Sequence, residues 1–128
     1  MSDSDNTVSR RAPEPVGAFP HAKRVGNLLF LSGIGPRSRG TKEIPVGIEA
    51  QTLAVFRNVR TVLEDAGSGW DRIVDVQVFL TDMKNDFAAF NALYAEHFAD
   101  NQPTRTTVEV NCLPTPIAVE LKVIATID

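Results

Sequence analysis

Apolar residues recur at three- and four-residue steps over residues 48–66, and this period predicts an amphipathic helix. Val55 and Val59 lie on its buried stripe, and Gly67 favours an end directly after it. Residues 86–99 have the same spacing, with phenylalanine and tyrosine on their apolar face. The chain is therefore predicted to contain two helices that each bury one face.

Apolar and polar residues alternate over residues 73–81, 105–112 and 119–124, a pattern that is typical of strands. Ahead of the first helix, a glycine-asparagine pair at 26–27 leads into an apolar run at 28–31, which predicts a hairpin. The resulting order is strand, strand, helix, strand, helix, strand, strand. This order predicts one α/β (α+β) domain in which both helices cover the same face of a sheet.

The other face of this sheet mixes apolar residues, Phe79 and Ile124, with charged ones, Glu109 and Glu120. A sheet face in contact with solvent should be mostly polar. The half-apolar face therefore predicts contact with a second copy of the chain in a closed homo-oligomer.

The 128-residue chain has the length of one domain, with 43% hydrophobic residues and a formal net charge of −3. The acidic balance argues against nucleic acid as the main partner, and no apolar run is long enough to span a membrane. The single cysteine, Cys112, excludes an intrachain disulfide. Residues 1–16 are polar and lack the apolar middle of a signal peptide, so we expect a mobile tail before a domain over residues 17–128. The expected location is the cytoplasm.

The sequence lacks a glycine-rich phosphate loop, a GxSxG motif and a paired-cysteine metal signature, so no metal site is predicted. Arg105 at the start of one strand and Glu120 inside the next remain as a candidate pair. An arginine can hold a carboxylate with two parallel hydrogen bonds, and a partly desolvated glutamate gains the raised pKa of a useful base. A structural salt bridge, or a Glu120 that faces solvent, explains the same residues, and spacing alone favours these structural roles.

Three other residues have both a chemical and a structural interpretation. Cys112 is a nucleophile or a small buried hydrophobe. His21 carries a proton or caps the backbone, and Asn91 binds substrate or faces water from its helix. The residue types alone favour the structural role for each.

Several segments in one frame resemble the RidA/YjgF family, over about residues 17–127. The matching segments are VGNLLFLSG at 25–33, QT at 51–52, NV at 58–59, VFLTDM at 78–83, FNALY at 90–94, PTRTTVEV at 103–110 and LP at 113–114. The resemblance implies a chorismate-mutase-like domain with a mixed six-stranded sheet and two helices on one face. It also implies a homotrimer with three sites in the clefts between subunits, and whether trimers pair into hexamers stays open.

The resemblance implies roles for single residues. Arg105 matches the family arginine that holds the substrate carboxylate, and Glu120 matches the acid that positions or activates water. Gly33 matches a main-chain contact in the cleft, and Asn91 matches an asparagine near the site. The implied reaction is hydrolysis of an enamine or imine, which needs no cofactor because the electrophile lies in the substrate.

The entry to the cleft departs from the family pattern, because the segment GAFPH replaces the common GPYSQ. Phe19 thereby lacks a tyrosine hydroxyl, and His21 adds a titratable group. Thr107 stands where many members have cysteine, and Cys112 stands where many have arginine. Together with NCLPTP at 111–116, GAFPH resembles the 2-aminomuconate deaminases of aromatic-ring catabolism.

This second resemblance implies 2-aminomuconate, an enamine with a carboxylate at each end, as substrate and a 2-oxo-hexenedioate as product. The substrate-binding residues expected on this basis are Arg105, Phe19, His21, Gly33, Asn91 and Cys112. His21, Arg37 and Lys122 are candidate donors to the second carboxylate, with His21 favoured because it replaces a neutral residue. The alternatives are a general deaminase of 2-iminopropionate-type acids, a binding module that senses small acids without turnover, and a holdase.

Overall fold

The computed structural model describes residues 5–128, so residues 1–4 of the expected tail lie outside the described residues. The described residues form one six-stranded sheet in the order β1-β2-β3-β6-β4-β5 with two helices. The elements are β1 Asn6–Thr7, β2 Ala22–Val25, β3 Leu28–Leu31, α1 Ile48–Asp65, β4 Ile73–Leu80, α2 Met83–His97, β5 Thr104–Glu109 and β6 Val119–Thr126. A 3₁₀ turn, Trp70–Arg72, precedes β4.

Both predicted helices are present, with one shifted start. α1 ends at Asp65, and Gly67 follows in the left-handed region at φ 88°, where a glycine avoids the steric cost of a side chain. α2 begins at Met83, three residues before the predicted start, because the Asp82 carboxylate accepts a hydrogen bond from the backbone N–H of Asn85. Neither helix in residues 5–128 is long and apolar enough to cross a bilayer.

The sheet is mixed because β4 pairs with β5 in parallel and with β6 in antiparallel orientation. Alternate residues of the two longest strands, such as Val76 and Leu121, are fully buried beneath the helices. α1 and α2 meet over this face through Phe56 and Phe90, whose ring centroids are 6.3 Å apart. The predicted α+β arrangement with two helices is thus confirmed.

The opposite face has the mixed composition that the sequence indicated, with one correction. Glu109 is the register partner of the buried Leu80, so it lies on the helix side, where its carboxylate accepts from the backbone N–H of Met83. Phe30 is the register partner of Ile124, and Phe79 lies between Glu120 and Val108. Val108 is 40% exposed. Apolar side chains on this face therefore remain accessible in the single chain, beside charged ones.

The expected mobile tail over residues 1–16 is corrected for residues 5–16, which pack against the body of the protein. Ser9 is 2% exposed, and its hydroxyl donates to a carboxylate oxygen of Asp65 at 2.6 Å. The guanidinium of Arg39 donates to the carbonyl oxygens of Ser9 and Ala12. Polar side chains thus anchor this segment, and such bonds leave no apolar period in a sequence.

Candidate active site

A cavity opens beside β3 and β6, and its floor contains the side chain of Glu120. We call it the Glu120 cavity. It is lined by Pro13, Glu14, Pro15, Val16, Phe19, His21, Ser32, Gly33, Ile34, Gly35, Pro36, Arg37, Pro114, Thr115, Ile117 and Glu120. Of the predicted site residues, the cavity therefore brings together Phe19, His21, Gly33 and Glu120.

Glu120 lies directly over the backbone of Gly33. The chain after β3 is held next to β6 by two hydrogen bonds between the backbones of Ile34 and Leu121, at 2.7 and 3.0 Å. A Cβ atom placed on Gly33 would lie 2.6 Å from Oε2 of Glu120 and 2.9 Å from its Cδ. Only a glycine at this position leaves the carboxylate where it is.

The surroundings of the Glu120 carboxylate make it more basic than an exposed glutamate. Burial raises its pKa above the ordinary glutamate value, and the nearby Lys122 ammonium opposes this in part. No hydrogen bond to this carboxylate is formed within residues 5–128. A partly buried carboxylate without a protein donor is free to orient a water molecule and to accept its proton.

His21 is buried, and both of its ring nitrogens are bonded to the backbone. Nδ1 accepts from the N–H of Ser9 at 2.9 Å, and Nε2 lies 2.7 Å from the carbonyl oxygen of Pro13. This arrangement requires a neutral ring with its proton on Nε2. The favoured expectation that His21 donates to a substrate carboxylate is therefore wrong, because the ring has no free N–H; His21 holds the segment that walls the cavity.

Arg105 lies elsewhere, in a group that we call the Arg105 cluster. Its Nη1 donates to Oδ1 of Asn91 at 2.9 Å, and its guanidinium carbon lies 4.6 Å from the ring centroid of Tyr94 and 5.8 Å from that of Phe87. Cation–π contacts of this length stabilise and orient the guanidinium. Burial raises the pKa of Tyr94 to about 12, so its hydroxyl stays protonated beside the arginine.

The Glu120 cavity and the Arg105 cluster occupy opposite faces of the sheet. The register partner of Arg105 on β4 is Val76, which is fully buried on the helix side. The register partner of Glu120 is Phe79, which points to the other face. The structural salt bridge between Arg105 and Glu120 is therefore wrong for a single chain, and no ion pair within the described residues contains either one.

Cys112 lies in neither group. It is exposed, in a separate shallow depression that it shares with Thr81 and Asn111. This depression touches the Glu120 cavity along Pro114 and Thr115. Cys112 is thus near the cavity without lining it.

Two contributors to these groups were not recognised from the sequence. Tyr94 was assigned to the apolar face of α2, although it lies three residues after Asn91 and so is its neighbour on the helix surface. Glu14 was placed in a mobile tail, and only the hydrogen bonds described above bring it to the cavity. The helical spacing was a usable signal for Tyr94, whereas nothing in the local pattern indicated Glu14.

The fold and the cavity define a small single-domain α+β protein with a partly buried acidic group beside a mixed sheet. The family model described as Endoribonuclease L-PSP matches residues 9–127. The chain belongs to this family, that of the RidA, YjgF and RutC proteins.

Three relatives illustrate the similarity. A RutC family protein of Pyrococcus abyssi is 40% identical over 118 residues, which cover 91% of this chain and 92% of that protein. The crystal structure of yeast Mmf1 has a TM-score of 0.90 at 36% identity and covers 96% of this chain and 98% of that chain. The YjgF gene product of E. coli has a TM-score of 0.87 at 33% identity, with coverage of 94% and 97%. The yeast MMF1 protein is named as mitochondrial, and a cytoplasmic location for this chain stays a prediction.

Proposed function

We propose that this protein hydrolyses enamines or imines of amino acids, with 2-aminomuconate as substrate and a 2-oxo-hexenedioate and ammonia as products. The observation that carries the proposal is the Glu120 carboxylate, which burial makes more basic and which lies without a hydrogen-bond donor over Gly33. Such a group orients water against an electrophilic carbon.

The chemistry balances without a cofactor. A proton adds to the carbon next to the amine-bearing carbon, and the enamine becomes an iminium ion. A water molecule, oriented by Glu120, gives one proton to the carboxylate and forms a C–O bond at the iminium carbon, which leaves a carbinolamine. Its hydroxyl proton moves to nitrogen as the C=O bond forms and the C–N bond breaks, so that ammonia leaves and a ketone remains. The Glu120 carboxyl then returns its proton to solvent, which offsets the proton taken up at carbon. Arg105 holds the carboxylate beside the reacting carbon through paired hydrogen bonds.

The proposal requires two copies of the chain at each site. Arg105 and Glu120 lie on opposite faces of the sheet, and one substrate molecule cannot contact both within a single chain. We propose that the Arg105 cluster of one subunit faces the Glu120 cavity of the next in a homotrimer. The half-apolar sheet face with Phe30, Phe79 and Val108 supplies surface for such an assembly.

The test is ammonia release from freshly generated 2-aminomuconate and, in parallel, from 2-iminopropionate. Wild type is expected to act on the dicarboxylate, and Glu120→Gln is expected to lose about 10²–10⁴-fold in turnover while still binding the substrate. Arg105→Ala is expected to lose activity mainly through weaker binding.

Unchanged turnover in Glu120→Gln would contradict the role of the carboxylate. Release from 2-iminopropionate alone would identify a general 2-imino acid deaminase. Ligand binding with silence on both substrates would identify a binding module instead.

A further inference from the structure

The Glu120 cavity contains a second charged group, Arg37, which the proposed reaction does not use. Glu14, Arg37 and Glu120 are the charged residues among the described residues that line it, because His21 is held neutral. Arg37 lies where this cavity meets a second one that is lined by Gly40, Thr41 and Lys42. It is thus the permanent cation of the described cavity wall.

The guanidinium of Arg37 is held in place before any ligand binds. Its Nη1 donates to the carbonyl oxygen of Thr41 at 2.9 Å, and its Nη2 donates to that of Glu14 at 2.6 Å. The side chain is only 18% exposed. Because it is fixed in this way, little side-chain entropy is lost when it binds an anion.

The backbone at Arg37 is also fixed. Asn58 on α1 is 6% exposed, and its amide nitrogen donates to the carbonyl oxygens of Gly35 and Arg37 at 2.9 and 2.8 Å. Both amide hydrogens are thereby used to hold the loop against the helix. These bonds hold in place the backbone that carries the Arg37 side chain.

Hydrogen-bonding capacity remains on the Arg37 side chain. An arginine has five N–H groups, and the bonds within residues 5–128 use three of them. The third bond is long, 3.4 Å from Nη1 to Oε1 of Glu14, whose side chain is 48% exposed. The same oxygen also accepts from the backbone N–H of Gly40 at 3.1 Å, so the Glu14 carboxylate keeps a partner when a carboxylate of a ligand takes its place at Arg37.

The local charge favours an anion here, although the whole chain is acidic. The segment 37–43 contains three cations, Arg37, Arg39 and Lys42, against one anion, Glu43, whereas the net charge of the protein is −3. Even with Glu14 counted, this segment and its neighbour Glu14 together have a net positive charge. An incoming dianion is therefore attracted to this side of the site.

We infer that Arg37 binds the second carboxylate of the substrate, and so makes the site selective for dicarboxylic over monocarboxylic enamines and imines. The other two candidates do not serve this role. His21 has no free N–H, and Lys122, which keeps two N–H groups beyond its bond to the carbonyl oxygen of Leu31, is not among the residues that line the cavity. The inference rests on the proposed function and assigns to Arg37 the recognition of the second carboxylate.

The test compares Arg37→Gln with Arg57→Gln, which removes the same charge from an exposed position of α1. Rates are measured with 2-aminomuconate and 2-iminopropionate, and inhibition with hexanedioate and hexanoate. For Arg37→Gln, kcat/KM with the dicarboxylate is expected to fall about 10- to 100-fold, because a charged hydrogen bond is lost. The fall is expected to come from a higher KM. The values for the monocarboxylate and for Arg57→Gln are expected to stay unchanged.

A second variant, Glu14→Gln, gives a change that damage to the fold cannot mimic. It removes the carboxylate that competes for Arg37, so KM for the dicarboxylate is expected to fall about twofold to fivefold. A KM that stays the same or rises in Glu14→Gln would overturn the competing role of Glu14.

Equal losses for both substrates in Arg37→Gln, or no loss for either, would overturn the inference. A wild-type enzyme that acts on 2-iminopropionate without preferring the dicarboxylate would also overturn it, and would leave the deaminase function intact. If the wild type releases ammonia from neither substrate, the proposed function fails. Calorimetry then compares the binding of hexanedioate and hexanoate to wild type and to Arg37→Gln. A loss of affinity for hexanedioate alone supports the role of Arg37, and equal losses or no loss overturn it.

Discussion

The charged groups of the Glu120 cavity and of the Arg105 cluster differ in the number of partners that surround them. Arg105 has an amide acceptor and two aromatic rings around its guanidinium, whereas the carboxylate of Glu120 has no hydrogen-bond donor within the described residues. A guanidinium keeps its charge in any surroundings, so supporting contacts only fix its direction. A carboxylate that is given donors becomes a weaker base. The protein thus supports the group that is proposed to bind substrate and leaves without donors the group that is proposed to react.

The two regions also differ in their place on the sheet. Each lies on its own face, so one chain presents half of the proposed chemistry on each side. A site that contains both groups therefore needs the Arg105 face of one chain next to the Glu120 face of another.

The largest expected effect comes from mixing two inactive variants. Arg105→Ala and Glu120→Gln are each expected to lose most activity, but after joint refolding about one site in four combines an intact Arg105 with an intact Glu120. Ammonia release by the mixture should therefore return to about a quarter of the wild-type rate. Joint refolding of Arg105→Ala with the double variant is the control, since it restores no site. A mixture no more active than its components would contradict a site shared between subunits.

A smaller effect is expected from a substitution at Gly33, which moves the Glu120 carboxylate without removing its charge. In Gly33→Ala the new methyl group meets the Glu120 carboxylate and must displace it, and a shift of about 1 Å costs on the order of 10²-fold in rate. Gly35→Ala is the matched control, because its Cβ meets only the flexible tip of Ile117 at 3.0 Å. Steady-state kinetics of both variants check this. Equal kcat values for the two would show that the carboxylate position is not critical.

The smallest effect concerns stability. Since burial raises the pKa of Glu120, the folded protein binds this proton more tightly than the unfolded chain does. This contribution to stability is full below the ordinary glutamate pKa and is lost as pH rises through the raised value. Glu120→Gln is therefore expected to raise Tm at neutral pH by about 1–3 °C, a gain that vanishes below about pH 4. Thermal unfolding of Glu120→Gln at several pH values measures this change in Tm, with Glu96→Gln, an exposed position on α2, as the control. A lower Tm of Glu120→Gln at neutral pH would contradict the prediction.

The periodic parts of the fold were predictable because their pattern is local. α1 has its apolar stripe in the sequence itself, and β6 alternates over its whole length, Val119–Thr126. β1 was missed because it has only two residues, Asn6–Thr7, which is too short for an alternation, and it lies in a polar segment. β5 ends at Glu109, before the predicted residue 112, although the alternation continues.

The site was predictable only in part, since spacing identifies residue types and not the faces on which they meet. Gly33 and Glu120 were assigned to one site through the resemblance, and the structure brings them together. Arg105 and Glu120 were also paired, and the register separates them. His21 was interpreted as a free donor because its two backbone partners, Ser9 and Pro13, lie in a segment without apolar anchors.

The amide of Asn58 grips the loop after β3 only through carbonyl oxygens, which every residue type presents alike. At position 37 the side chain is therefore free to change by mutation while the backbone that carries it stays in place, whereas Gly33 in the same loop is fixed by its contact with Glu120. On the role inferred for Arg37, a substitution at that position alters what the cavity recognises without a change in the backbone. This separation of scaffold from recognition gives such a domain a simple route by which duplicated copies diverge toward different small acids.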